Sequence, residues 1–154
     1  MKTNMQFKGL TVLAALCMIL SSFALKPGAH SCQVYLDDKL LVDQYMVNRT
    51  IARKIIIDPA ENHKQFTLKY NECGRTVTGR VIIIKDENDK VLKEFKFDGS
   101  TKGYEDPMTC SVKDLVALKQ TSGNLKVYYA SNDFPEGQHV ASLVIGPGTN
   151  TALN

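Results

Sequence analysis

Residues 75–97 read RTVTGRVIIIKDENDKVLKEFKF, and few folds accommodate such a segment. Val81 to Ile84 is apolar at four successive positions, so both faces of a strand built from it must be covered, as in the middle of a sheet. The polar run Asp86 to Asp89 is turn chemistry, and it returns the chain into Val91 to Phe97. This is a long hairpin with one strand at the centre of a sheet, and the rest of the fold has to cover it.

The remaining sequence supplies more strands. In CQVYLDDKLLVDQYMV, Cys32 to Leu36 and Leu40 to Val47 flank a tight Asp37-Asp38-Lys39 turn. ARKIIID is a short buried strand stopped at Pro59, because proline restricts the preceding residue and cannot donate to a ladder. QFTLKYN alternates: Phe66, Leu68 and Tyr70 point one way and Gln65, Thr67, Lys69 and Asn71 the other. A Gly-, Asp- and Lys-rich loop is predicted over residues 98–107. NLKVYYA and QHVASLVI form the last two strands around the turn SNDFPEG. Eight candidate strands and one short helix predict a two-layer antiparallel β-sandwich with the helix capping an end. A small closed barrel is the alternative.

The helix is predicted in MTCSVKDLVALK. Ser111 is the expected N-cap, and Asp114 sits where it can reach back to the first turn and complement the positive helix end. Cys110 then lies immediately before the cap, with Leu115 as its partner in a hydrophobic staple. Cys110 has three readings: a thiol activated by the helix end and Lys113, the staple, or a disulfide to Cys73. The favoured pairing is Cys73–Cys110, with Cys32 able to replace either partner. No Cys-x-x-Cys pair is present, which argues against thioredoxin-type redox chemistry.

The N-terminus has the three parts of a secretory signal. Lys2 and Lys8 are positive, Leu10 to Leu20 is almost continuously apolar, and Ser21-Ser22-Phe23-Ala24 supplies small residues for cleavage. The apolar run is about half of the roughly 20 residues that span a bilayer, so no transmembrane segment is expected in the mature chain. Cleavage after Ala24 is expected; a cut after Ala29 would place Pro27 near the bond, and the residues before Cys32 do not suit lipidation. The expected organisation is a signal peptide over 1–24, a linker over 25–31, a β-sandwich over 32–146 and a loose tail over 147–154. The mature protein is then secreted or periplasmic, where disulfides persist.

The signal carries two of the 19 basic residues and none of the 16 acidic ones, so the mature chain is near neutral. Basic residues are scattered, and nucleic acid is not an expected partner.

Specific chemistries find little support in the remaining residues. No metal site is favoured and no cofactor is expected. The alternative is a copper-type site with His30 as a new N-terminus and His63 or His139 as its partner. KDENDK resembles a calcium loop only loosely, since Lys90 stands where another oxygen is wanted. No Gly-x-Ser-x-Gly elbow occurs, and the histidines carry no triad signature, so the reading leans away from an enzyme. Tyr128 and Tyr129 alternate across their strand, so one should face the core and the other offer a surface for stacking on a sugar or anchoring a partner. Asn48-Arg49-Thr50 is a glycosylation acceptor only in a source that makes such glycans.

The run NECGRTVTGRVIIIKDENDKVLKEFKF, followed by VKDLVALK, LKVYYAS and FPEGQHVASLVI, resembles small exported β-rich proteins of Bacteroidetes-type bacteria, an uncharacterised group. The resemblance covers most of the mature chain. It implies a periplasmic or extracellular location and an idle sequon, and it brings no function with it. The expected function is that of an exported, non-enzymatic β-domain binding another protein or a cell-envelope component. A metal-binding or thiol-active exported protein is the alternative.

Overall fold

The computed structural model describes residues 30–46, 52–118 and 123–150. The proposed signal (1–24), most of the linker, the sequon at Asn48 and residues 151–154 lie outside the described residues.

Nine strands and one short helix are described: β1 His30–Leu36, β2 Lys39–Met46, β3 Arg53–Ile57, β4 Gln65–Asn71, β5 Thr76–Lys85, β6 Val91–Lys102, β7 Met108–Ser111, α1 Val112–Ala117, β8 Asn124–Ser131 and β9 Phe134–Ile145. They form a four-stranded sheet in the order β2-β1-β4-β7 and a five-stranded sheet in the order β3-β9-β8-β5-β6. The two sheets pack as a β-sandwich, and no barrel closes among the described strands. Inward positions alternate as the sequence dictates: Phe66, Leu68 and Tyr70 from β4 meet Ile82 and Ile84 from β5, Val127 and Tyr129 from β8, and Leu143 and Ile145 from β9, all in one core. β5 lies between β8 and β6, which accounts for its apolar run.

Several expectations are corrected. The sandwich is not wholly antiparallel, because β3 pairs parallel with β9, Arg53 opposite Ala141 and Ile57 opposite Ile145. The segment expected as a loop from Asp98 continues β6 to Lys102, since a register shift between Thr78 and Arg80 absorbs the irregularity and pairing resumes at Thr78–Ser100. MTCS is a strand, β7, rather than the mouth of a helix: Met108 and Cys110 are buried, and Cys110 lies opposite Phe66. His30 is no linker residue. It opens β1 opposite Met46. Nor is the chain after Gly146 loose as far as it is described: the Ile56 N–H donates to Asn150 Oδ1 at 2.7 Å, and Asn150 Nδ2 donates to the Ile56 carbonyl at 2.7 Å.

The two sheets are joined near one end by aromatic and polar contacts. Tyr70 from the first sheet stacks on Tyr129 from the second, with centroids 3.8 Å apart and planes at 12°. Beside them Glu72 is only 2 % exposed. Its Oε1 accepts from the Tyr129 hydroxyl at 2.8 Å and from the Ser131 hydroxyl at 2.6 Å. Arg80, equally buried, points inward and donates to the Asp106 carboxylate and, at 2.7 Å, to the Asp106 carbonyl. The β6–β7 connection is thereby strapped to the second sheet.

Burial raises the value of these bonds, because hydroxyls left without an acceptor keep their full desolvation cost. Glu72→Ala is expected to destabilise the domain by about 2–4 kcal/mol, and Tyr129→Phe, which deletes one donor and keeps the stack, by about 1 kcal/mol. Urea unfolding of the two variants checks the ranking, and equal losses would show that the carboxyl group is not what matters.

Candidate binding surface

The outer face of the first sheet is built from the alternate residues of β1, β2 and β4 that do not enter the core. Along β1 these are Ser31, Gln33 and Tyr35. The register sets Tyr45 opposite Ser31 and Asp43 opposite Gln33, and on the other side Lys69 opposite Gln33. Tyr35 donates to Gln33 Oε1 at 3.0 Å, and Gln33 Nε2 donates to Asp43 Oδ2 at 3.1 Å. Lys69 Nζ sits 5.0 Å from the Tyr35 ring centroid, a cation–π distance. From the β6–β7 connection Tyr104 reaches across and donates to Ser31 Oγ at 2.8 Å. Partial burial pushes the Tyr104 hydroxyl above its ordinary range, partly offset by the Ser31 bond. The result is a face with three tyrosines, Tyr35, Tyr45 and Tyr104. Tyr45 is 72 % exposed, more than any other large apolar or aromatic side chain described.

The opposite face, on the second sheet, places Tyr128 differently. It stacks on His139 with centroids 5.0 Å apart, and Lys85 Nζ lies 4.2 Å from its ring centroid. Lys126 pairs with Asp89 at 2.8 Å. Tyr128 is half-buried among these groups, whereas Tyr129 is fully buried and takes no part in any surface. His139 Nε2 is within 3.0 Å of the Ala141 carbonyl and 3.2 Å of Ser142 Oγ. Burial holds the His139 ring below the usual histidine range.

The three histidines of the copper alternative do not converge. His30 packs its ring against Tyr70 and Phe134, with Nδ1 3.1 Å from the Tyr70 hydroxyl. His63 bonds Asp37 just past the far end of β1, seven residues on, which at a strand's rise is roughly 20 Å away. His139 lies on the outside of the second sheet. Among the described residues no group of three or more His, Cys, Asp or Glu side chains could hold a metal. The KDENDK oxygens are engaged elsewhere: Asp86 Oδ1 accepts from the Asn88 and Lys90 amides at 2.8 and 2.9 Å, and Asp89 is paired to Lys126.

The cysteine pairing is likewise corrected. Cys110 lies opposite Phe66 at one end of β4, and Cys73 follows the other end in a tight turn with φ 56. The two are separated by roughly 20 Å of strand, far beyond the Cα separation of about 7 Å that a disulfide tolerates. Cys32 lies opposite Tyr70, four strand residues from the level of Cys110, and it is not bridged to it either. Its thiol contacts Met46 Sδ at 3.5 Å and Gln44 Nε2 at 3.7 Å. Burial pushes the Cys110 thiol up to about 12, helped by nearby Asp114, and the Cys32 thiol up to about 11. A helix end that activates Cys110 is therefore not what the fold provides. Ser111 occupies the N-cap position with extended backbone but makes no side-chain cap bond, and Asp114 pairs with Lys93 at 3.2 Å instead of reaching back. The first amide of the helix is satisfied by the Lys64 carbonyl at 2.9 Å.

A cluster that sequence reasoning missed sits at the other end of β1. Asp37 adopts φ 51 in the β1–β2 turn, and its Oδ1 accepts from the Lys64 and Gln65 amides at 2.8 and 3.0 Å. His63 places Nδ1 2.7 Å from Asp37 Oδ2 and Nε2 2.6 Å from Glu61 Oε2. The Asp37 bond, reinforced by Glu61, raises the His63 ring above its ordinary value, and the same bond holds the Asp37 carboxyl below the usual range. The ring nitrogens serve carboxylates on opposite sides, which suits a clasp between two loops.

Two outcomes follow from this chemistry. In the folded protein Cys73, which is exposed, should alkylate well before Cys32 and Cys110, whose thiols should label only on unfolding; mass spectrometry of native and denatured samples reads this directly. The His63 clasp contributes stability that is fully present below the ordinary histidine pKa of about 6.5 and is lost as pH rises through the raised folded value. Urea midpoints at about pH 5 and about pH 9 should therefore converge in His63→Gln relative to wild type.

No known protein family matches this chain, and no curated protein is similar to it, so the surface is interpreted from its own chemistry.

Proposed function

We propose that the chain is an exported, non-enzymatic β-domain that binds another protein or a cell-envelope component through the outer face of its first sheet. The export half of this reading rests on Lys2, Lys8, the apolar run Leu10 to Leu20 and the small residues ending at Ala24. One observation carries the binding half: Tyr45, 72 % exposed, stands on a face where Tyr35, Gln33 and Asp43 are held in order by their own hydrogen bonds. Tyrosine offers a large rigid contact at little entropic cost, with a hydroxyl that stays useful at a wet rim. Side chains already fixed in place lose less freedom when a partner lands on them.

The test is retention of envelope proteins and of purified cell-wall polymer from the source cell by the immobilised folded domain. Tyr45→Ala should weaken retention of the bound component about tenfold, or ~1.4 kcal/mol. Tyr128→Ala, on the opposite face, should leave it unchanged. Loss with Tyr128→Ala alone would move the site to the other sheet, and indifference to both substitutions would end the sheet-face reading.

A further inference from the structure

Four strands end the two sheets, and three of them carry their own protection. β7 is four residues long. β6 presents Lys93, Glu94, Lys96 and Asp98 along its length, and β2 carries Lys39 and Asp43. Short strands and charges are the usual means of blunting an edge. β3 carries its charges, Arg53 and Lys54, only at its start; Ile55–Ile57 is apolar, and among the described residues the Ile56 backbone on its outer edge is met by a side-chain amide. The Asn150 carboxamide exchanges two hydrogen bonds with Ile56 N–H and C=O, as a neighbouring strand residue would. Gly148, at φ 148, lets the tail cross Ile56 closely; a Cβ there would lie 3.2 Å from the Ile56 side chain.

The backbone parity of this edge is fixed. The Ile57 carbonyl faces inward and accepts from the Gly146 amide at 3.0 Å, while the Ile56 groups face out to Asn150. Lys54, of the same parity, then also turns its backbone groups outward. Asp58 lies just past the end of β3, and its carbonyl accepts from the Glu61 amide at 3.0 Å, so it faces this edge through its side chain. The same alternation puts the side chains of Lys54, Ile56 and Asp58 on one face, away from the buried Ile55 and Ile57.

We propose that the β3 edge is a docking surface for a second copy of this chain, and that Asn150 occupies it in the monomer. An antiparallel two-fold through Ile56 sets Ile56 opposite its own counterpart as a hydrogen-bonded pair. It sets Lys54 opposite Asp58, and Asp58 opposite Lys54. The edge is self-complementary in charge, with an apolar pair at its centre, and opposite charges directly across a ladder are favourable. Pairing here would extend the five-stranded sheet continuously from one copy into the next. This surface is separate from the tyrosine face and stands or falls independently of it.

Sedimentation velocity over a concentration series tests the proposal, with circular dichroism confirming the fold. Asn150→Ala, which unplugs the edge, should self-associate about tenfold more tightly than wild type. Adding Lys54→Asp should cancel that gain, and exchanging both charges, Lys54→Asp with Asp58→Lys, should restore it. Asp58 also accepts from the Ala60 amide at 2.8 Å, so a second readout avoids touching it: Ile56→Cys with Asn150→Ala in a Cys73→Ser background should form a symmetric cross-linked dimer on mild oxidation. A folded Asn150→Ala variant that stays monomeric overturns the proposal. So does a dimer indifferent to Lys54→Asp, or one in which the Ile56→Cys substitution yields no cross-link.

Discussion

Inside one end of the sandwich a carboxyl group with almost no access to water accepts from two hydroxyls of the opposing sheet. Glu72 follows directly on β4, so it belongs by chain to the first sheet, while Tyr129 and Ser131 belong to the second. Each of the three would be costly to bury alone. Together they are satisfied only at one relative position of the sheets. Apolar packing tolerates small slides between layers, since its energy depends on area, but a directional bond at 2.6 or 2.8 Å does not. The stacked Tyr70–Tyr129 pair next to it adds area to a position the hydrogen bonds already select. The Arg80–Asp106 strap closes the same end from the loop side.

Much of this architecture was legible before any coordinates. Alternation in QFTLKYN and the double-sided apolar run at Val81 identified a half-wet strand and a central one, and both stand where the pattern put them. The failures share a cause: they lie where a strand is short or where its local composition imitates a loop. β7 has only four residues, and Ser111-Val112 begins a helix immediately after it, so helical capping logic absorbed a strand. DGSTK at the end of β6 has turn composition, and only pairing with β5 makes it extended. Local propensity yields to tertiary pairing at such places.

The candidate site was less legible. Its tyrosines are far apart in sequence, at 35, 45 and 104, and only the β1–β2 register and the crossing loop bring them to one face. Tyr128 attracted notice because it stands beside Tyr129 in sequence, yet in the fold it is occupied by His139 and Lys85. Glu72 could have been suspected from Tyr129 and Ser131, which share a face of β8 two residues apart, but NECGRT reads locally as a turn. The cysteines were misjudged because pairing was inferred from compartment, whereas the strand register keeps Cys73 and Cys110 at opposite ends of β4.

The placing of the last strand bears on how the chain comes to be folded at all. β9 lies between β3 and β8, and β1 lies between β2 and β4. As the polypeptide emerges N-terminus first, β1 has one neighbour within a few residues but must wait until residue 71 for the other. β3 has no partner in its own sheet until the segment ending at Ile145 has been made. Contacts of such long separation are closed late. The strands of the first sheet are all made by residue 111, but the second sheet, and with it the core between the layers, closes only when β8 and β9 have been made, so the finished sandwich is deferred until synthesis is nearly over.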